Sequence, residues 1–286
     1  MEEKNERGET LKEFLARYDE TKYRRPSNTV DMILLTVFKG KLKVLLVKRK
    51  DHPFIHDWAM PGGFVNFDED LDTAMKRELE EETNLFDSTY FRQLYTFGNA
   101  DRDPRTRVIT TVYLSMTPAE NIKMTSAGDD AMDTGWFTIQ KITTTSDGYE
   151  RKSVLMLDEE EKGIHLRYEI YDTACDNYVQ TRSKLLESSN AKLAADHIKA
   201  INMAIDVVRN RAASTGIMFN LLPKECTLRE IQEVYEAIVN HPVDTGNFRR
   251  DIKKMLVATG STTIVNGRKV ATYSFNPLLP FVKETL

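Results

Sequence analysis

The sequence predicts a mixed α/β body, joined by a helix to a small helix–helix–hairpin module. Two observations carry this. β-rich runs flank one amphipathic acidic helix, the order of an α/β domain. A capped helix, a second helix with one basic face and a hairpin then close the chain. With 286 residues there is room for one large or two ordinary domains. The expected division is a body over residues 1–185, a linking helix over 186–215 and the terminal module over 216–286.

Taken in order, Leu11, Phe14, Leu15 and Tyr18 have helical spacing, predicting a short amphipathic helix within 9–23. Its apolar face would dock on the body or on a second subunit. Val30–Thr36 and Lys43–Lys48 are β-rich and separated by Lys39-Gly40-Lys41, a hairpin signal. Pro61-Gly62-Gly63 turns the chain before the acidic helix. Leu94–Gly98 and Val108–Met116 predict further strands, and Trp136-Phe137 follows an acidic loop, Gly128-Asp129-Asp130. Ser153–Leu157 and Ile164–Tyr171 alternate, an added hairpin over 153–172. From about Lys184 to Ala213 the pattern is helical, through Leu193, Ile198, Ile201, Ile205 and Val208. Thr227 and Glu230 form a capping-box pattern for a helix ended by His241-Pro242. A second helix follows Asp244, with Phe248, Ile252, Met255 and Leu256 on one arc. Arg249, Arg250, Lys253 and Lys254 occupy the other. Thr262–Val265 and Lys269–Phe275 are strands around Asn266-Gly267, a two-residue hairpin turn. This is the order of a winged helix-turn-helix.

Charge is uneven. The net is −4, but residues 241–286 hold seven Lys or Arg against three Asp or Glu, so they carry +4 and the rest −8. A basic tail on an acidic body points to a polyanionic partner. Cys175 and Cys226 lack metal-ligand spacing, and the reading is two structural thiols in a reduced, cytoplasmic compartment. The polar N-terminus is no signal peptide, and no run of about 18 apolar residues predicts a membrane span.

The chemistry concentrates after Gly63. Five residues separate it from Glu69, and seven more lead to Arg77-Glu78-Leu79-Glu80-Glu81-Glu82-Thr83-Asn84-Leu85. At about 100° per residue, Glu78, Glu81 and Glu82 share one arc of a helix with Leu71, Ala74 and Met75. A solvated acidic helix would put its glutamates opposite the apolar residues. Carboxylates on the inward face need a counter-charge, and hard oxygens suit Mg²⁺ or Mn²⁺.

This pattern resembles the Nudix box of enzymes that hydrolyse a nucleoside diphosphate linked to another group. Asn84 replaces the family's late glycine, and Asn is the next best residue for the left-handed helix end. The resemblance implies an α/β/α sandwich with a mixed sheet. It assigns Glu78, Glu81 and Glu82 as the metal-binding set and Arg77 as their partner, plausibly through Glu81. Glu69 would join the second layer, and the Gly62-Gly63 turn would bring backbone carbonyls to the metal. Which carboxylate acts as base stays open.

Arg102-Asp103-Pro104-Arg105-Thr106-Arg107 packs three arginines into six residues, which could clamp phosphates bidentately. It resembles the segment of Nudix proteins that handle ADP-ribose. Phe54, Trp58 and Phe64 could stack on adenine, with core packing the stronger reading for most. In the terminal module, Asn247 could reach a base edge, while Arg249, Arg250, Lys253, Lys254, Arg268 and Lys269 would neutralise DNA phosphates. The alternative is a protein-interaction module with a charged face.

Residues 61–85, the 102–107 loop, Leu193-Ala194-Ala195-Asp196-His197 and Asn247-Phe248-Arg249-Arg250 together resemble the Nudix-related transcriptional regulator (NrtR) family. That family implies a dimeric repressor of NAD-related genes that leaves its double-stranded operator on binding ADP-ribose. Relatives control other operons, sugar genes among them. The competing expectation is a Mg²⁺-dependent ADP-ribose pyrophosphatase whose C-terminal module does not touch DNA.

Overall fold

The computed structural model describes residues 3–83, 90–124, 131–176 and 178–278. Asn84, Leu85 and the Gly128-Asp129-Asp130 loop lie outside them. The body holds α1 (Leu11–Arg17), β1 (Ser27–Phe38), β2 (Lys41–Arg49), β3 (Trp58–Ala59), β4 (Gly62–Phe64) and α2 (Leu71–Thr83). It continues through β5 (Tyr90–Phe97), β6 (Val108–Met116), β7 (Ala131–Ser146), β8 (Glu150–Glu159), β9 (Ile164–Cys175) and β10 (Tyr178–Leu185). Then come α3 (His197–Ala212), α4 (Leu228–Val239), α5 (Thr245–Ile252), β11 (Leu256–Val265) and β12 (Arg268–Phe275).

One sheet runs β10-β9-β8-β7-β2-β1-β6-β5, with β3 on β2 and β4 on β1. β1 and β6 are parallel and the other pairs antiparallel, which makes the sheet mixed. Alternation along β1 separates two cores. Met32 and Leu34 face α2 with Ala74, Met75 and Leu79. Ile33 and Leu35 face the opposite layer, with Ile201 and Ile205 of α3. The result is the expected α/β/α sandwich. That second core continues through Ile231 and Ile238 of α4 to Phe248 and Ile252 of α5, so body and terminal module share one apolar interior.

Several expectations change. The hairpin over 153–172 is part of a three-stranded extension of the main sheet, since Tyr178–Leu185 pairs antiparallel with β9. Helical structure does not begin at Lys184. Strand β10 and an irregular segment precede α3, because Tyr178–Leu185 satisfies its backbone along the β9 edge. Residues 193–196 lead into α3, which begins at His197, rather than lying within it. α1 buries none of its residues, with Leu11 and Leu15 exposed. Leu256 opens β11 instead of ending a helix, because the chain tightens into a 3₁₀ turn over Lys253–Met255 that buries Met255. Among the described residues no helix is long and apolar enough to cross a membrane. Cys226 is buried and its thiol is pushed up to about 12 by burial. A buried thiol so rarely ionised is inert.

Candidate functional site

The acidic helix is held to the sheet by its apolar stripe, and this turns Glu78 inward. Glu78 is buried, Glu82 half-buried and Glu81 exposed. Arg77 binds the cluster together with five hydrogen bonds. It donates to Glu69 at 2.6 and 3.1 Å, to Glu78 at 2.7 Å, to Glu81 at 3.2 Å and to the Phe64 carbonyl at 3.0 Å. The expected Arg77–Glu81 pair is thus the longest of its ion pairs. Glu69 also accepts from the Asn66 amide, and the Arg77 guanidinium is the main reason its carboxyl falls to about 2. Burial raises Glu78, against the pull of Arg77.

Gly63 lies against this carboxylate. A Cβ there would fall on Glu78, 2.6 Å from its Oε2. The glycine leaves room for the Glu78 side chain. Among the described residues no three His, Cys, Asp or Glu side chains converge on a point that would hold a metal ion. Glu78, Glu81 and Glu82 are the right donor type for Mg²⁺ or Mn²⁺. As placed they do not converge on one point, and Arg77 holds Glu78 Oε1 and Glu81 Oε2.

A cavity of about 1000 Å³ opens above Gly63, Glu78, Glu81 and Glu82. Arg102 and Arg105 line its far wall. Glu69 lies behind Arg77, outside that lining, and Arg107 is exposed and also outside it. Neither cavity arginine is a bare cation. Arg102 donates to both Asp196 oxygens at 2.9 and 3.4 Å. Arg105 pairs with Asp103 at 2.9 Å and lies over the Phe64 ring at 5.6 Å. Phe64 is exposed and Phe54 lines the cavity, while Trp58 is buried edge-on to Phe137. Trp58 is therefore core and unavailable for stacking.

Two parts of the wall were not foreseen. Lys48, Arg49 and Lys50 add positive charge from the end of β2, where the basic triplet was the available signal. Ala194, Ala195 and His197 close another side. His197 Nδ1 accepts from the Met60 amide at 2.9 Å, which puts its proton on Nε2, and burial lowers its basicity.

The terminal module presents the second candidate surface. Thr227 and Glu230 cap α4 reciprocally, and Asn240 ends it at φ 63. Asp244 caps α5 by accepting from the Asn247 amide at 2.8 Å. Phe248 and Ile252 are buried, and so Arg249 and Arg250 turn outward. Lys253 and Lys254 lie exposed in the following turn, Asn247 is exposed at the helix start, and Arg268 and Lys269 are exposed where β12 leaves the hairpin.

Residues 26–157 match the NUDIX domain model, and residues 218–275 match the NrtR DNA-binding winged helix domain. The "ADPR responsive transcriptional repressor NtrR" of Acinetobacter baylyi is 28% identical over 92% of this chain and 87% of its own length. The ADP-ribose pyrophosphatase of Methanocaldococcus jannaschii is 34% identical over 49% of this chain and 80% of its own. The chain belongs to the Nudix-related transcriptional regulator family. Its fold follows that of Shewanella oneidensis NrtR complexed with a 27mer DNA, at TM-score 0.60 and 26% identity over 87% of this chain and 93% of the other. In this member Arg77 pairs with Glu69, Glu78 and Glu81 of the Nudix box, and the NrtR winged helix turns its cations to solvent.

Proposed function

We propose that this protein is a transcriptional repressor. It binds operator DNA through the α5 face and the β11–β12 wing, takes ADP-ribose or a related nucleotide in the Nudix cavity, and releases DNA when that ligand binds. The observation that carries this reading is the shared interior. A cavity of about 1000 Å³ lined by Arg102, Arg105 and the Lys48–Lys50 run sits on the same continuous core as a basic winged helix. Positive side chains in a concave site suit a diphosphate. Phe64 and Phe54 offer faces for the base. The exposed cations of α5 and the wing match phosphates along a duplex. Both relatives named for ADP-ribose or its response support the ligand class.

The working unit is a homodimer reading two half-sites, which the exposed apolar side of α1 supports. The test is retention of the protein's own upstream duplex, measured with and without ADP-ribose. Retention that ADP-ribose relieves is expected. Absence of retention, or retention insensitive to the nucleotide, would overturn it.

A second reading, hydrolysis of ADP-ribose, is favoured by the complete Glu78, Glu81 and Glu82 set. To hold Mg²⁺ or Mn²⁺ the three side chains would have to converge, Glu78 and Glu81 through the oxygens that Arg77 does not hold. Release of AMP in the presence of Mg²⁺, abolished by Glu82→Gln, would establish it, and no turnover by the unmutated protein would remove it.

A further inference from the structure

We infer that Arg102 and Asp196 form an exchange switch, in which a diphosphate ligand takes Arg102 from Asp196 and the released carboxylate caps α3. This rests on the ligand reading above and names how that site is coupled to the DNA-binding module.

The inference starts from an anomaly at a helix end. Thr10, Thr227 and Asp244 each accept an amide hydrogen bond from their own helix. Asp196 stands at the same position before α3 yet makes no such bond, and its backbone (φ −101, ψ 18) is not the extended form of the others. Its carboxylate is turned instead to Arg102, whose side chain is only 7% exposed. Asp is among the best capping residues, and its charge suits the positive end of a helix. The structure therefore shows a cap diverted to a cation, and that cation lines the ligand cavity.

The segment is also held under tension. Ala195, immediately before Asp196, has φ 44, a left-handed conformation uncommon for a residue with a Cβ. It is pinned from three sides. Trp58 donates to the Lys192 carbonyl, the Ala194 amide donates to Trp58, and the Met60 amide donates to His197. A phosphate is as good a bidentate partner for Arg102 as a carboxylate. Once Arg102 turns to it, Asp196 is released to take the extended form of the other caps and to offer its carboxylate to the first turn of α3, where the Lys199 amide now donates to the Asp196 carbonyl at 2.9 Å. Sixteen residues of α3 then carry the change to the DNA module. At its far end Arg209 donates to the Ile238 carbonyl of α4 at 2.9 Å and to the Lys141 carbonyl of β7 at 3.2 Å.

Asp196→Ser tests this, because serine caps a helix and cannot reach Arg102. The isosteric Asp196→Asn repeats the test should the serine variant fold poorly. ADP-ribose binding is measured by calorimetry and DNA binding by anisotropy, with and without ADP-ribose. Both variants should bind ADP-ribose at least about tenfold more tightly, since the ligand no longer displaces a charged partner. Their affinity for DNA without ligand should match that of the unmutated protein saturated with ADP-ribose, and adding ligand should change it less than about twofold, well below ordinary coupling. Unchanged ligand affinity with normal DNA release would overturn the switch and leave the function intact. Weaker ligand binding would also overturn it, reducing Asp196 to a residue that orients Arg102. If the unmutated protein binds no ADP-ribose, both the function and the switch fall.

Discussion

Removing two charges from α5 gives the sharpest test of the DNA-facing surface. Arg249→Ala, Arg250→Ala alters the exposed face and leaves the Phe248 and Ile252 contacts intact. Among the described residues Arg250 pairs with Asp251, both largely exposed, a pair worth about 0–1 kcal/mol. Thermal stability should therefore hold within about 0.5 kcal/mol. DNA binding should not. Each phosphate contact contributes about 0.9 to the slope of log affinity against log salt, so two lost contacts flatten it by about 1.8 per chain. Between 50 and 200 mM salt, that removes roughly tenfold of the salt-induced loss of affinity. Anisotropy of a labelled upstream duplex across this range measures it. A parallel slope in the variant, whatever its affinity, would show that neither arginine meets a phosphate.

Gly63→Ala places a methyl group on the Glu78 carboxylate, so ADP-ribose affinity should fall at least about tenfold while DNA retention persists, read by calorimetry and gel shift. Glu69 has its carboxyl held down to about 2 by Arg77. Its contribution is therefore complete above the unfolded value near 4.5 and is lost as pH falls towards 2. Glu69→Gln should accordingly show a shallower loss of thermal stability across that acid window than the unmutated chain. Arg209→Met strips a half-buried donor from the Ile238 and Lys141 carbonyls and should cost about 1–3 kcal/mol in urea unfolding.

Local patterns were legible wherever one element decides its own shape. The spacing of Leu71, Ala74 and Met75 oriented α2, and with it the burial of Glu78. Asn266-Gly267 marked the tip of the wing, and Thr227 with Glu230 marked the start of α4. What failed were choices made by distant partners. Tyr178–Leu185 is a strand because β9 offers an open edge, and nothing within those eight residues announces that edge. Arg107 lies outside the cavity lining beside Val108, which lines it and opens β6. The wall at Ala194–His197 depends on pairs such as Arg102–Asp196 and Met60–His197, separated by 94 and 137 positions, and no short window contains both partners.

The parallel bridge between Trp58 and Leu193 has a consequence for how such genes can be recombined. The Nudix domain match ends at residue 157, yet the cavity is closed by Ala194, Ala195 and His197, placed beside β3 on the way to the winged helix. On the proposed function, sensing and reading are consecutive along the chain but not separable at that border. A chimaera that fused residues 26–157 to a foreign DNA-binding domain would inherit a chamber with one side missing. A functional transplant has to carry the chain through α3, so ligand preference and the lever that reports it would travel together in evolution as one piece.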